Sequence, residues 1–233
     1  MRKILIIFLI TISLFLVYCN ERPSKPKKEV ECKKYGKDVL LPSKLENNWQ
    51  FQLWRISDEN TPDTVLYYIT DTLLIEYNGK NYQCFIPKWD FLNSNIDWIS
   101  YNGSDGLYSM GAICGNDTFI SPIIEFKYPV NKGESWEVPQ LVYNTYSKKF
   151  YYNDTLTITC LSTDQQYITS LDTFSIVEYS FERSIAEDIQ AKELNYYYYS
   201  PRIGIVGILK TSESKKLTGK FYQKYKIFDY CLY

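Results

Sequence analysis

Histidine is absent from all 233 residues. That absence removes serine–histidine and cysteine–histidine nucleophile arrangements and every histidine-ligated metal site. Net charge is −1, from 26 basic and 27 acidic residues, so the basic excess that holds a nucleic-acid backbone is missing. No glycine-rich phosphate cradle and no dinucleotide fingerprint occurs. The six cysteines, at 19, 32, 84, 114, 160 and 231, show no CxxC or other metal-type spacing. Neither a metal nor an organic cofactor is expected, and nucleic acid is not an expected partner. Long helix-forming runs are also scarce.

What is present begins at the N-terminus. Arg2 and Lys3 precede a run from Ile4 to Val17 that is apolar except for Thr11 and Ser13. A basic start and a short apolar core read as a secretory signal, too short for a stable spanning helix. Leu16-Val17-Tyr18-Cys19 closes the run and resembles the lipobox of bacterial lipoproteins, with Tyr18 in place of the usual small residue. In that family the cysteine thiol is acylated and becomes the new N-terminus. The resemblance implies lipidation (palmitate among the acyl chains) at Cys19. It also implies membrane attachment through that lipid in the bacterial envelope, at the outer membrane. An uncleaved anchor, or cleavage without lipid, is the alternative. Residues 20–35 read as a tether, because Pro23, Pro26 and a lysine cluster leave no apolar periodicity to bury.

Residues 36–233 read as one domain. The 23 tyrosines, 12 phenylalanines and 5 tryptophans favour strands, and short alternating runs separated by turn signals recur throughout. Strands are expected at 49–56, 64–69, 73–77, 82–86, 96–101, 107–114, 122–128, 135–143, 149–152, 156–161, 173–181, 194–199, 203–210 and 220–229, with a further one starting at Asn116-Asp117. Asn78-Gly79 predicts a tight hairpin. The fold class is all-β: a single antiparallel, strongly curved sheet, as a half-barrel or sandwich, with at most one short helix. Residues 183–194 are that helix, capped by Ser184 and Glu187, or an extended loop. Cys84 and Cys160 lie in strand-like runs, where a buried thiol acts as a small hydrophobe. Cys32 and Cys231 could staple the two ends, but the connectivity of Cys32, Cys84, Cys114, Cys160 and Cys231 stays open.

Asp-Thr recurs at 63, 71, 117, 154 and 172. Asp ends a turn and β-branched Thr opens a strand. Asp-Thr before an aliphatic residue also resembles the O-glycosylation sequon of Bacteroidetes envelope proteins, which singles out Thr64, Thr72 and Thr155. Three segments, Asp105-Gly-Leu-Tyr108, Phe126-Lys-Tyr-Pro-Val-Asn-Lys-Gly-Glu-Ser-Trp136 and Tyr199-Ser-Pro-Arg-Ile-Gly-Ile-Val206, are together similar to a group of uncharacterised Bacteroidetes–Chlorobi envelope lipoproteins. The resemblance implies a curved antiparallel sheet and brings no catalytic residues. On this reading Asp105, Gly106, Gly133 and Gly204 shape turns and bends, and Trp136 is core or a ligand platform.

The expected function is a lipid-anchored, non-enzymatic binding or structural module, with a protein, glycan or lipid as partner. The first alternative is a carrier enclosing an apolar ligand in the curved sheet. The second is a glycosidase using carboxylates such as Asp97 with Asp105, or Glu134 with Glu137. In Tyr196–Tyr199, alternate rings point to opposite faces, one pair to the core and the other to a possible aromatic strip.

Overall fold

Trp49, Phe51 and Leu53 are buried while the residues between them are half-buried. That period of two is the mark of a strand with one face on a core. Such segments follow one another through the computed structural model, which describes residues 38–55, 58–92, 94–186, 191–214 and 221–232. They are β1 (Asn48–Arg55), β2 (Asp58–Tyr77), β3 (Lys80–Trp89), β4 (Ile96–Asn102), β5 (Gly106–Cys114) and β6 (Asp117–Lys127). The second half runs β7 (Ser135–Asn144), β8 (Lys149–Ile168), β9 (Thr173–Ala186), β10 (Ala191–Ser200), β11 (Gly204–Ser214) and β12 (Phe221–Cys231). Among the described residues there is no helix.

The twelve strands form one antiparallel sheet in the order β6-β5-β4-β3-β2-β1-β12-β11-β10-β9-β8-β7. Its two edges, β6 and β7, are consecutive in sequence, so the sheet curls until its ends meet as a nearly closed barrel. Side chains bridge the seam. The Trp136 indole N–H donates to the Glu125 carbonyl at 3.2 Å. Lys127 Nζ lies 2.7 Å from Glu134 Oε1 and 5.2 Å above the Trp136 ring. The Tyr152 hydroxyl meets Ser121 Oγ at 2.6 Å. Pro122 and Pro139 lie on these edge strands, where a missing N–H is tolerated.

The structure departs from the sequence expectation in two ways. Residues 183–186 and 191–194 continue β9 and β10, so neither the helix nor the loop forms there; residues 187–190 lie outside the described residues. Arg183 pairs across the ladder with Glu193 at 2.6 Å, which fixes the strand register in place of a capping box. Three expected breaks also vanish: β2, β6 and β8 each run through as one strand. For β2 and β8 the reason lies in the Asp-Thr pairs. Asp117 and Asp172 do stand at strand starts. Asp71 and Asp154 instead sit beside bulges inside β2 and β8. There each carboxylate accepts the next residue's N–H at 2.7 Å, satisfying a donor locally without ending the strand.

The main core gathers residues from both halves of the sheet, including Trp49, Phe51, Phe85, Phe126, Ile158, Tyr179 and Ile227. A smaller cluster, Cys84, Ile99 and Met110, uses alternate positions of β3, β4 and β5. Cys84 and Cys160 are buried free thiols, and Cys114 is also free. Cys231 is disulfide-bonded, with its partner outside the described residues. Cys19 and Cys32 also lie outside them.

Candidate functional site

Two strand irregularities build the site. Leu107 of β5 faces Phe126 and Tyr108 faces Ile124, so Glu125 is one residue too many on β6. Such a bulge turns two successive side chains toward one side. Simple alternation would send Glu125 and Phe126 to opposite faces; here both line the same interior cavity. The second irregularity lies in β10–β11, where Tyr198 faces Gly207 and Tyr199 faces Ile205.

The cavity measures about 400 Å³. Apolar walls come from Leu107, Ile123, Phe126, Val138, Leu156 and Ile208; Ser100, Ser109, Ser121 and Gln140 supply scattered polar groups. Among the described residues, Glu125 and Lys210 are its only charged lining residues. A second depression, about 340 Å³, shares Pro87, Trp89 and Trp98 with it. Beside that depression Leu92 and Trp98 are exposed.

Burial pushes the Glu125 carboxyl from 4.5 up to about 7. Burial likewise raises the Tyr67, Tyr197 and Tyr199 hydroxyls, and each also feels the Glu125 charge. Four polar ends therefore converge. Yet among the described residues neither the carboxyl nor these hydroxyls make a hydrogen bond or ion pair with protein. Lys210 is lowered by burial, with Glu193 opposing, and sits 5.6 Å over the Tyr225 ring.

The Glu125 shift has a stability consequence. The folded chain holds this proton more tightly than the unfolded chain, so folding binds protons between pH 4.5 and about 7. Stability from this group is greatest below that window and falls as pH rises through it. Glu125→Gln removes the fall. The variant should gain on the order of 1–3 kcal/mol over the wild type at pH 8 relative to pH 4.5, read from urea midpoints at both pH values.

The residues singled out from sequence scatter around this site. Gly106 is in tight contact with β6: a Cβ there would stand 2.1 Å from the Phe126 carbonyl oxygen. Asp105 holds the adjoining turn by accepting from the Tyr108 hydroxyl at 2.8 Å. Gly133 takes φ 85° in the β6–β7 turn. Gly204 lies against the Trp49 indole, whose N–H donates to the Ile203 carbonyl at 2.5 Å. Trp136 serves the seam. Tyr197 and Tyr199 enter the cavity, whereas Tyr198 stacks on Tyr167 at 4.8 Å and is no open strip. Thr64, Thr72 and Thr155 are exposed on strands. Of the carboxylates, Asp97 pairs with Lys88 at 2.5 Å and Glu134 with Lys127. Asp97 and Asp105 lie near opposite ends of β4, and Glu137 is exposed on β7. Among the described residues no group of three or more Cys, Asp or Glu side chains is placed to hold a metal ion. Sequence reading missed Glu125, whose one signal is an acid within the apolar run Ile123-Ile-Glu-Phe126.

No family model and no curated protein matches this chain. Solved structures do. A crystal structure from Bacteroides fragilis NCTC 9343, of a protein described as exported and as having a YmcC-like fold, aligns with TM-score 0.40 and 11% identity. It covers 83% of this chain and 99% of that one. A crystal structure of a protein described as a lipoprotein, from Parabacteroides distasonis ATCC 8503, aligns with TM-score 0.43 and 9% identity, covering 83% and 98%. Neither lends this chain a family or an activity.

Proposed function

We propose that this chain is a lipid-anchored lipoprotein of the bacterial envelope whose nearly closed sheet holds a small amphipathic ligand without chemical turnover. The observation that supports binding is the interior cavity: apolar walls, a few convergent polar groups and a half-buried carboxyl with a raised pKa are the usual makings of a ligand site. Attachment rests on Leu16-Val17-Tyr18-Cys19 and the tether behind it. A single acyl chain holds only reversibly, at about 0.8 kcal/mol per buried methylene, so lasting attachment needs the several chains of the lipoprotein modification.

Each half has its own test. Cys19→Ser in a host that processes lipoproteins should shift the protein from the membrane pellet to the soluble fraction or stall it unprocessed. Unchanged pelleting and processing would overturn the anchor. Solvent extraction of the purified chain, followed by mass spectrometry, should release about one small organic molecule per protein. An extract no richer than that of an empty-micelle blank would count against the cavity as a binding site.

A further inference from the structure

Among the described residues Glu125 is the one acid lining the cavity, and none of them forms an ion pair with it. Aromatic rings from β2, β3 and β10 line the same cavity. Tyr67 of β2 lies 4.7 Å from Trp89, and Phe126 lies 5.7 Å from Tyr197 and 4.8 Å from Tyr199 of β10. Glu125 shares the interior face with Ser121 and Ile123 by the strand's period of two, and the bulge beside it brings Phe126 into this group as well. The two features together are a half-buried carboxylate facing the cavity, with no counterion among the described residues, and a set of electron-rich rings. Both favour positive charge. A cation held against aromatic faces gains about 0.5–2 kcal/mol, the upper end when desolvated, before any pairing with a carboxylate.

Building on the cavity reading, we propose that the ligand's head group is an organic cation, a primary or quaternary amine on an apolar body, seated against Glu125 among Tyr67, Tyr197 and Tyr199. A neutral polyol would satisfy the three hydroxyls but leave the half-buried carboxylate without a counter-charge. An anionic head would be repelled by it. Lys210, the cavity's cation, is engaged over Tyr225 and drawn toward Glu193, and it does not offset the burial of Glu125. The titratable groups facing Glu125 are Tyr67 from β2 and Tyr197 and Tyr199 from β10, none of which ionises near neutral pH.

The test uses the full acylated chain in a maltoside micelle and three soluble probes sharing one apolar body: benzyltrimethylammonium, benzyl glucoside and benzyl sulfonate. Calorimetric titration at pH 8 should show the cation binding at least tenfold tighter than either analogue. Because the carboxyl titrates near 7, the cation's affinity should fall about tenfold from pH 8 to pH 6. Glu125→Gln should abolish both the preference and the pH dependence while keeping the wild-type circular dichroism. Should that variant misfold, Tyr197→Leu should weaken the cation several-fold more than it weakens the glucoside. Equal binding of cation and glucoside, or a cation affinity indifferent to both pH and Glu125→Gln, would overturn the head-group assignment and leave the cavity reading standing. If none of the three binds, both fall.

Discussion

Gly106→Ala should cost about 3 kcal/mol or more and lower the melting temperature by roughly 6–12 °C for a domain of this size. The added Cβ would meet the Phe126 carbonyl oxygen at 2.1 Å, and that atom belongs to the backbone, not to a side chain able to swing aside. Gly106 also has φ 152°, which a β-carbon strains further. Relief requires β6 to move off β5 at the bulge carrying Glu125, so the same variant should lose ligand binding. Gly111→Ala should act alike, since its Cβ would stand 1.9 Å from the Phe119 carbonyl oxygen on the same strand. Gly79→Ala is the control. It shares a positive φ of 71° but has nothing within 4 Å, so it should cost about 1 kcal/mol. Thermal unfolding of the three variants checks the contrast: equal losses at positions 79 and 106 would mean that β5 and β6 are not in this close contact.

A second large effect concerns the cavity alone. Ser109 lines it from β5 and faces Ile123 of β6 across the ladder. An indole is larger than a serine side chain by well over 100 Å³, a large share of the 400 Å³ available, so Ser109→Trp should fill the space a ligand needs. Because the ring enters an existing void, the variant should fold with at most about 1–3 kcal/mol of strain and yet bind nothing. Loss of binding with retained stability separates a ligand site from a packing defect.

Much of the sheet was legible because its side chains keep a period of two and its turns use residues suited to them. Asn78 and Gly79 both take positive φ, as the hairpin required. The alternation of Trp49, Phe51 and Leu53 placed β1 to within a residue. The breaks expected in β2 and β8 failed for a local reason. An aspartate that accepts its neighbour's N–H looks the same in sequence whether it ends a strand or lies beside a bulge within one. The segment at 183–194 misled because Ser184 and Glu187 have cap spacing, while the Arg183–Glu193 pair that holds it as a hairpin joins strands and is invisible in a local window.

The site itself was hidden for a related reason. Periodicity assigns a face to each residue by counting along one strand, and a bulge resets the count. Ser121, Ile123 and Glu125 keep the period of two and share the cavity, and the extra residue of β6 at that step adds Phe126 to the same side. The tyrosine tract was read more accurately, since Tyr197 and Tyr199 do share the interior. What counting could not supply was the partner of Tyr198, which is Tyr167 arriving from β8.

Native mass spectrometry of the full acylated chain beside its Ser109→Trp variant addresses the central claim most directly. The wild type should carry a single non-covalent small-molecule adduct that survives gentle activation, and the variant, equally folded, should carry none. The same adduct on both proteins, or on neither, would contradict a ligand-holding interior.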